Sequence, residues 1–188
     1  MYFDKPKQVK LKDGQVITLR RAQEEDASAM IEYLNIVGGE SDNLTYGAGE
    51  MRYTVEQEID YINKSNSNEN ALMLIAAADD DSVVSIANIN AFEAIRIAHV
   101  ADFGISVRKS HWRLGLGRAI MKELIEFARR HDKIEIVHLG VRAGNDGAVK
   151  LYESFGFERV GYNKRFFKAG DKYYDNINME LHLNKGDL

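Results

Sequence analysis

Gly115 and Gly117, two glycines separated by one residue, lie at the start of the strongest helical pattern in the sequence. Glycine lets main-chain N–H groups approach an anion closely, and the unpaired N–H groups at a helix start point to the same place. Arg113 and Arg118 add positive charge beside this turn. The segment therefore predicts a phosphate or pyrophosphate site, and a tight turn that binds nothing is the alternative.

Two common nucleotide-binding patterns fit this turn poorly. A P-loop needs Lys followed by Ser or Thr after its second glycine, and that pair is absent. A dinucleotide fingerprint needs a third glycine where Ile120 stands. Both kinds of nucleotide site are disfavoured, although a nucleotide-binding protein that uses the turn differently stays open.

A second segment with residues that could take part in a reaction runs from Asn145 to Phe157. Asn145 follows Gly144 at the predicted start of a short helix, and Tyr152 lies near its end. The tyrosine carries a phenol with an ordinary pKa of about 10, which can donate a proton. The alternative role for Tyr152 is that of a core aromatic residue.

Together the two segments resemble the GCN5-related N-acetyltransferase (GNAT) superfamily. Its cofactor segment reads Arg/Gln-x-x-Gly-x-Gly/Ala, and its later segment reads Asn-x-x-Ala-x-x-Leu-Tyr-x-x-x-Gly-Phe. The fixed places of the later pattern are matched by Asn145, Ala148, Leu151, Tyr152, Gly156 and Phe157. The ending around Ala169-Gly170-Asp171 resembles the branch with ribosomal-protein and polyamine acetyltransferases.

The resemblance implies an acetyl-CoA-dependent N-acetyltransferase that acetylates a primary amine by direct attack in a ternary complex. The acceptor would be a small-molecule amine, a polyamine or a protein N-terminus. The implied cofactor contacts are Ile105, Val107, Trp112, Arg113, Leu114, Gly115, Leu116, Gly117, Arg118, Asn145 and Tyr152. Tyr152 would also protonate the departing thiolate. Trp112 departs from the Arg or Gln that is usual there, but the phosphate contacts of this segment are mostly main chain.

The general base is not fixed by the resemblance. Some members carry a strand acid in a segment like Glu-x-Gly-x-x-Val, which Asp102 to Val107 matches with Asp for Glu. Other members carry a glutamate where this chain has Gly140. We therefore expect Asp102 as a catalytic residue, with His99, His138 and a water relay as alternatives. Without a clear base, a catalytically weak regulatory module that binds coenzyme A or acetyl-CoA is the alternative function.

The elements that must position these residues form one α/β (α+β) domain over residues 1–188, with its core at about 14–183. Strands are predicted at 16–19, 71–78, 83–92, 98–107, 134–141, 157–168 and 173–183. Helices are predicted at 29–37, closed by Gly38-Gly39, at 54–62, 114–131 and 146–155, with an Asn- and Ser-rich loop at 63–70. The expected architecture is a GNAT-like mixed, mostly antiparallel sheet of about six or seven strands with about four helices, and the resemblance adds a splay between strands four and five.

Composition narrows the function classes. The 188-residue chain has no cysteine, so it has no disulfide, no thiolate metal site and no acetyl-cysteine intermediate. We expect no metal and a cytoplasmic location, since the charged segment 1–11 is no signal peptide and no long apolar run is present. The net charge of −4 argues against nucleic acid and suits a cationic amine.

The resemblance implies that the loop between the first two helices lines the acceptor side of the site. Its carboxylates, Glu40, Asp42 and Glu50, would attract a cationic amine there, and a solvated loop without that role is the alternative. The acceptor itself and the oligomeric state stay open. An unpaired sheet edge or an exposed helix face would be the means of forming a homodimer.

Overall fold

The computed structural model describes residues 2–183, which form eight strands and four α-helices. The strands are β1 (Lys7–Lys10), β2 (Val16–Arg21), β3 (Ala71–Ala77), β4 (Val83–Ala91), β5 (Val100–Val107), β6 (Ile136–Arg142), β7 (Glu158–Ala169) and β8 (Lys172–His182). The helices are α1 (Ala27–Glu40), α2 (Val55–Ser67), α3 (Leu116–Arg130) and α4 (Asp146–Glu153). The expected domain of residues 1–188 also includes residues 1 and 184–188, which lie outside the described range.

The strands form one mixed sheet in the order β1-β2-β3-β4-β5-β6-β8-β7. Every neighbouring pair is antiparallel except β5 and β6, which are parallel. The expected mixed and mostly antiparallel sheet is confirmed, with one strand more than expected. The additional strand, β1, has the sequence Lys-Gln-Val-Lys, whose polar composition hides its strand character and suits an exposed sheet edge.

Strands β5 and β6 pair over only three positions. Val100 to Asp102 lie beside Ile136 to His138, and no pairing follows, although both strands continue for several residues. The two strands therefore diverge beyond Asp102 and His138. This divergence is the expected splay, and it opens a gap in the middle of the sheet.

Helices cover both faces of the sheet. The apolar faces of α3 and α4 pack on one side, where Leu116, Ile120 and Leu124 are fully buried. Helices α1 and α2 pack on the other side through residues such as Met30 and Ile62. No helix within residues 2–183 is long and apolar enough to span a membrane.

Helix α1 does not end at Gly38-Gly39 as the sequence predicted. It continues to Glu40, and Gly38 allows the main chain of the following loop to pack closely against the helix. A Cβ atom at Gly38 would lie 2.6 Å from the main-chain oxygen of Gly47, so only glycine lets the following loop pack here.

Helix α2 is longer than predicted and extends into the segment that its composition marked as a loop. It ends at Ser67, and Ser65 is buried in its last turn, so tertiary packing overrides the low helix propensity of Asn and Ser. The predicted capping box at its start is confirmed. Gln57 N donates to Thr54 Oγ1 at 3.2 Å, and Thr54 N donates to Gln57 Oε1 at 2.9 Å.

Candidate active site

A cleft of about 1180 Å³ opens at the splay of the sheet. Its wall includes the diverging ends of β5 and β6, the turn before α3, the start and inner face of α4, the loop between α1 and α2, and the first turns of α2, together with residues of α1, β3, β4 and β7. The cleft thus brings together the two sequence segments that carry the resemblance.

The turn before α3 is a row of unpaired main-chain donors. Within residues 2–183, the N–H groups of Arg113 to Arg118 have no hydrogen-bond acceptor. Arg113 has a φ of 62° and Gly115 a φ of 99°, so two left-handed residues alternate along the turn. Alternation of this kind turns successive N–H groups toward one point and forms an anion-binding concavity. The geometry supports the phosphate site that the glycine spacing predicted.

The side chains around this turn brace it. Trp112 Nε1 donates to the main-chain oxygen of Val107 at 2.7 Å, which ties the turn to the end of β5. Arg118 donates to Ser154 Oγ at 2.8 Å and stacks over the ring of Phe155. Trp112, which replaces the usual Arg or Gln, therefore has a structural contact of its own at this place.

The main chain of β5 presents free groups to the splay. Hydrogen bonds from Arg108 N to Val84 O at 2.9 Å and from Phe92 N to Val100 O at 3.0 Å fix the alternation of the β4–β5 ladder. Even-numbered residues of β5 therefore bond to β4, and the N–H and C=O groups of Ile105 and Val107 point away from it, into the gap. The main-chain oxygen of Val107 accepts from Trp112. The N–H groups of Ile105 and Val107 stay available as donors to a carbonyl oxygen.

Tyr152 lies on the inner face of α4 and lines the cleft. It is 7% exposed, and its ring packs against those of Phe103 and Phe157 at centroid distances of 6.2 and 6.0 Å. Asn145 caps the helix by accepting from Ala148 N at 3.4 Å. Burial raises the pKa of Tyr152 to about 12, so the phenol keeps its proton at neutral pH.

Asp102 and His138, two of the candidate bases, are hydrogen-bonded to each other. Asp102 Oδ1 lies 3.0 Å from His138 Nδ1, and the two residues are the last paired positions before the splay. Neither residue is part of the cleft wall. The next positions on the same sheet face are Gly104 and Gly140, which have no side chains and do line the cleft. His99, in contrast, precedes β5 and lies outside the cleft wall.

Amide side chains fill the space above both glycines. A Cβ atom at Gly140 would lie 2.9 Å from the amide oxygen and nitrogen of Asn176, and one at Gly104 would lie 2.7 Å from Asn88 Oδ1. Asn176 is 6% exposed and donates to Asn178 Oδ1 at 2.7 Å. A neutral amide therefore occupies the place that the resemblance associates with a glutamate.

The loop carboxylates that were expected on the acceptor side do not line the cleft. Glu40 accepts from Arg108 Nε at 2.8 Å and from Lys109 N at 2.6 Å, and Glu50 accepts from Gly47 N at 2.9 Å, so both brace the main chain. Asp42 is not part of the wall either. That part of the expectation is wrong.

Glu58 is the carboxylate that lines the α2 side of the cleft, and the sequence analysis missed it. It is 3% exposed, and burial raises the pKa of its carboxyl group. The available signal was helical spacing, because Glu58 lies four residues before Ile62 on the buried face of α2.

The raised pKa of Glu58 makes a prediction about stability. A carboxyl group whose folded pKa lies above its unfolded value of 4.5 does not lower the free energy of unfolding at lower pH, where it is protonated in both states. The free energy of unfolding falls as the pH rises through the folded pKa. We therefore expect Glu58→Gln to raise the melting temperature at neutral pH and to change it little at about pH 4.

Thermal unfolding of unliganded wild type and variant from acidic to neutral pH measures this difference. Asp60→Asn is the matched control because Asp60 is exposed on the same helix. A Glu58→Gln protein that is less stable than wild type at neutral pH and equal to it at acidic pH would show that the ionised carboxylate stabilises the fold.

Among residues 2–183, no group of three or more side chains of the types His, Asp and Glu is placed to hold a metal ion.

The acetyltransferase (GNAT) family model matches residues 40–157, which include both sides of the cleft. The chain belongs to the GNAT family. Its curated relatives include the L-amino acid N-acetyltransferase AaaT of Escherichia coli K12, 36% identical over 103 residues, which are 54% of this chain and 62% of that protein. They also include the ribosomal protein bS18-alanine N-acetyltransferase of the same strain, 35% identical over 79 residues, 42% of this chain and 53% of that protein. The matched segment thus spans less than two thirds of either relative.

Solved GNAT structures share the fold. An acetyltransferase of the GNAT family from Streptococcus pneumoniae superposes with a TM-score of 0.84 at 28% identity, over 89% of this chain and 99% of that one. YncA from Salmonella typhimurium, a structure with acetyl-CoA, superposes with a TM-score of 0.76 at 18% identity, over 89% and 94% of the two chains. The single GNAT-like α/β domain expected from the sequence is confirmed.

Proposed function

We propose that this GNAT protein is an acetyl-CoA-dependent N-acetyltransferase that transfers the acetyl group to a primary amine of a small molecule or a peptide N-terminus. The observation that carries the proposal is the convergence on one cleft of an anion-binding turn, free strand N–H groups and a buried phenol. These three features suit the pyrophosphate, the thioester carbonyl and the leaving sulfur of one substrate.

Acetyl-CoA fits these residues as follows. The pyrophosphate lies on the unpaired N–H groups of Arg113 to Arg118, where two left-handed residues shape the concavity. The pantetheine arm enters the splay and contacts Asn145. The carbonyl oxygen of the thioester accepts from the N–H groups of Ile105 and Val107.

The transfer then proceeds by direct attack. The amine nitrogen forms a bond to the carbonyl carbon, and negative charge develops on the oxygen beside Ile105 and Val107, where fixed N–H groups stabilise it as in an oxyanion hole. The carbon–sulfur bond breaks, and Tyr152 donates its proton to the sulfur. The nitrogen, which is positively charged after the attack, then loses a proton to the Tyr152 oxygen, which restores the phenol and leaves the neutral amide. An acetyl-cysteine intermediate is excluded because the chain has no cysteine.

The attacking amine must lose a proton, and we assign that proton to the Asp102–His138 pair. Asp102 and His138 lie two residues before Gly104 and Gly140 on the same sheet face. Water in the cleft, beside the amides that cover the two glycines, would carry the proton to the pair. The amides of Asn88 and Asn176 border this route. The contact with Asp102 holds the imidazole ring in one orientation, which supports the pair over His138 alone.

The test is release of thiol from acetyl-CoA with a panel of amino acids, polyamines, aminoglycosides and peptides with free N-termini. We expect acceptor-dependent thiol release with at least one class. Inertness across the panel, with acetyl-CoA bound tightly in titration calorimetry, would favour a regulatory module that binds coenzyme A. Equal affinity for ATP, NAD and acetyl-CoA would favour a nucleotide-binding protein instead.

A further inference from the structure

Glu58 is a buried carboxylate without a cationic partner. Among the described residues it has no ion pair and no side-chain hydrogen bond, and its electrostatic neighbour is the phenol of Tyr61. A buried carboxylate is costly unless a cation or several donors compensate it. Its position in the cleft wall means that a ligand could supply the missing cation.

Three tyrosines of the cleft wall follow one another from this carboxylate. Tyr61 of α2 lies near Glu58, Tyr53 of the loop between α1 and α2 lies near Tyr61, and Tyr46 of the same loop lies near Tyr53. Tyr53 and Tyr61 are each 48% exposed, which places them at the cleft opening, whereas burial raises the pKa of Tyr46 to about 12. The faces of aromatic rings attract alkylammonium groups, and the attraction grows where water is excluded.

Contacts connect the carboxylate to the middle of the sheet. Asn88 fills the space above Gly104, Tyr61 lies near Asn88, and Glu58 lies near Tyr61. The proton of the attacking nitrogen is assigned above to the Asp102–His138 pair. The positive group at Glu58 is therefore taken to be a different group from that nitrogen.

The charges at the two ends of the cleft are opposite. Arg113 and Arg118 surround the anion-binding turn, whereas Glu58 lies on α2, which packs on the opposite face of the sheet from α3. Arg142, another cation of the wall, donates to Asn43 and stacks over Tyr174 at 4.2 Å. The phosphates of coenzyme A would be attracted to one end, and a cation to the other.

We propose that Glu58, with Tyr46, Tyr53 and Tyr61, binds a second cationic group of the acceptor, so that the preferred substrates carry two amines. This inference rests on the proposed function and narrows its substrate class. In free acceptor both amines are ammonium groups. One pairs with Glu58 and stays protonated, and the other loses its proton and attacks.

The test compares linear α,ω-diamines with the amino alcohols of equal length, in which a neutral hydroxyl replaces the second amine. Both kcat/KM with saturating acetyl-CoA and equilibrium binding by calorimetry are measured. We expect wild type and Asp60→Asn to prefer the diamine of at least one length by about tenfold or more, and Glu58→Gln to lose that preference. The KM for acetyl-CoA should stay unchanged in Glu58→Gln, because the variant leaves the anion-binding turn intact.

Two results would overturn the inference. One is a wild-type protein that binds and acetylates diamines and amino alcohols equally, and the other is a Glu58→Gln protein that keeps the diamine preference. Turnover of either acceptor by wild type supports the proposed function independently of Glu58. If wild type acetylates neither, the calorimetric comparison still decides whether Glu58 binds the second amine.

Discussion

Replacing Tyr152 with phenylalanine is expected to lower kcat by about 10- to 10³-fold and to leave the affinity for acetyl-CoA near that of wild type. The substitution removes only the hydroxyl. The ring keeps its contacts with Phe103 and Phe157, so the fold and the cleft should be preserved. The loss would therefore measure proton donation to the departing sulfur.

The pKa of Tyr152 sharpens this prediction. A phenol with a pKa of about 12 donates unfavourably to a fully solvated thiolate, whose thiol has an ordinary pKa of about 8.5. The same burial that raises the pKa of the phenol also desolvates the leaving sulfur and raises the pKa of its thiol. The proton is therefore donated within the closed cleft while the carbon–sulfur bond breaks. Because Tyr152 stays protonated at neutral pH, its ionisation should not lower kcat there.

Steady-state kinetics and calorimetry with coenzyme A test the Tyr152 assignment. Tyr173→Phe is a suitable control because Tyr173 is exposed in the β7–β8 hairpin, outside the cleft wall. An unchanged kcat in Tyr152→Phe, measured under conditions in which chemistry limits the rate, would remove the residue from the mechanism.

Disruption of the Asp102–His138 pair is the second large effect that we expect. His138→Gln should lower kcat/KM by about 10²-fold or more, in the range found when a general base is removed. Asp102→Asn keeps a hydrogen bond but removes the charge that supports the imidazole, so its effect should be smaller. Since both residues act on one proton, kcat/KM of the double variant should be about as low as that of the more impaired single variant.

The pH dependence of kcat/KM separates the base from a structural role. The acidic limb of the wild-type profile should shift in Asp102→Asn and be lost in His138→Gln, whereas His99→Gln should leave it in place, because His99 lies outside the cleft wall. If the limb is the same in all three variants, the proton leaves through water and other groups, and the pair has no catalytic part.

Local patterns in the sequence predict the turn before α3 and the helix α4 well. The glycine spacing at Gly115 and Gly117 places the turn, because positive φ angles and free N–H groups follow from the chain itself. The capping residue Asn145 and the position of Tyr152 on α4 follow from helical spacing for the same reason. The splay came from the resemblance, since no local pattern shows where two strands stop pairing.

The part of the cleft wall formed by α2 and the loop before it depends on tertiary contacts that no local pattern encodes. Glu58 looks like a solvated residue beside a capping box, but it is buried on a helix that packs against α1 and β3. Glu40 looks like a free loop carboxylate, but it forms an ion pair with Arg108, which is distant in sequence. Gly38 looks like a helix end, but its missing side chain admits the backbone of Gly47.

Simultaneous detection of both products in one reaction tests the central claim most directly. Wild-type protein is incubated with acetyl-CoA and the best acceptor from the panel, and free thiol, acetylated amine and intact protein mass are followed together. We expect thiol and acetylated amine in equal amounts and no acetylated protein. Thiol release without acetylated amine would show hydrolysis instead of transfer, and no reaction with acetyl-CoA bound would contradict the assignment of an enzyme.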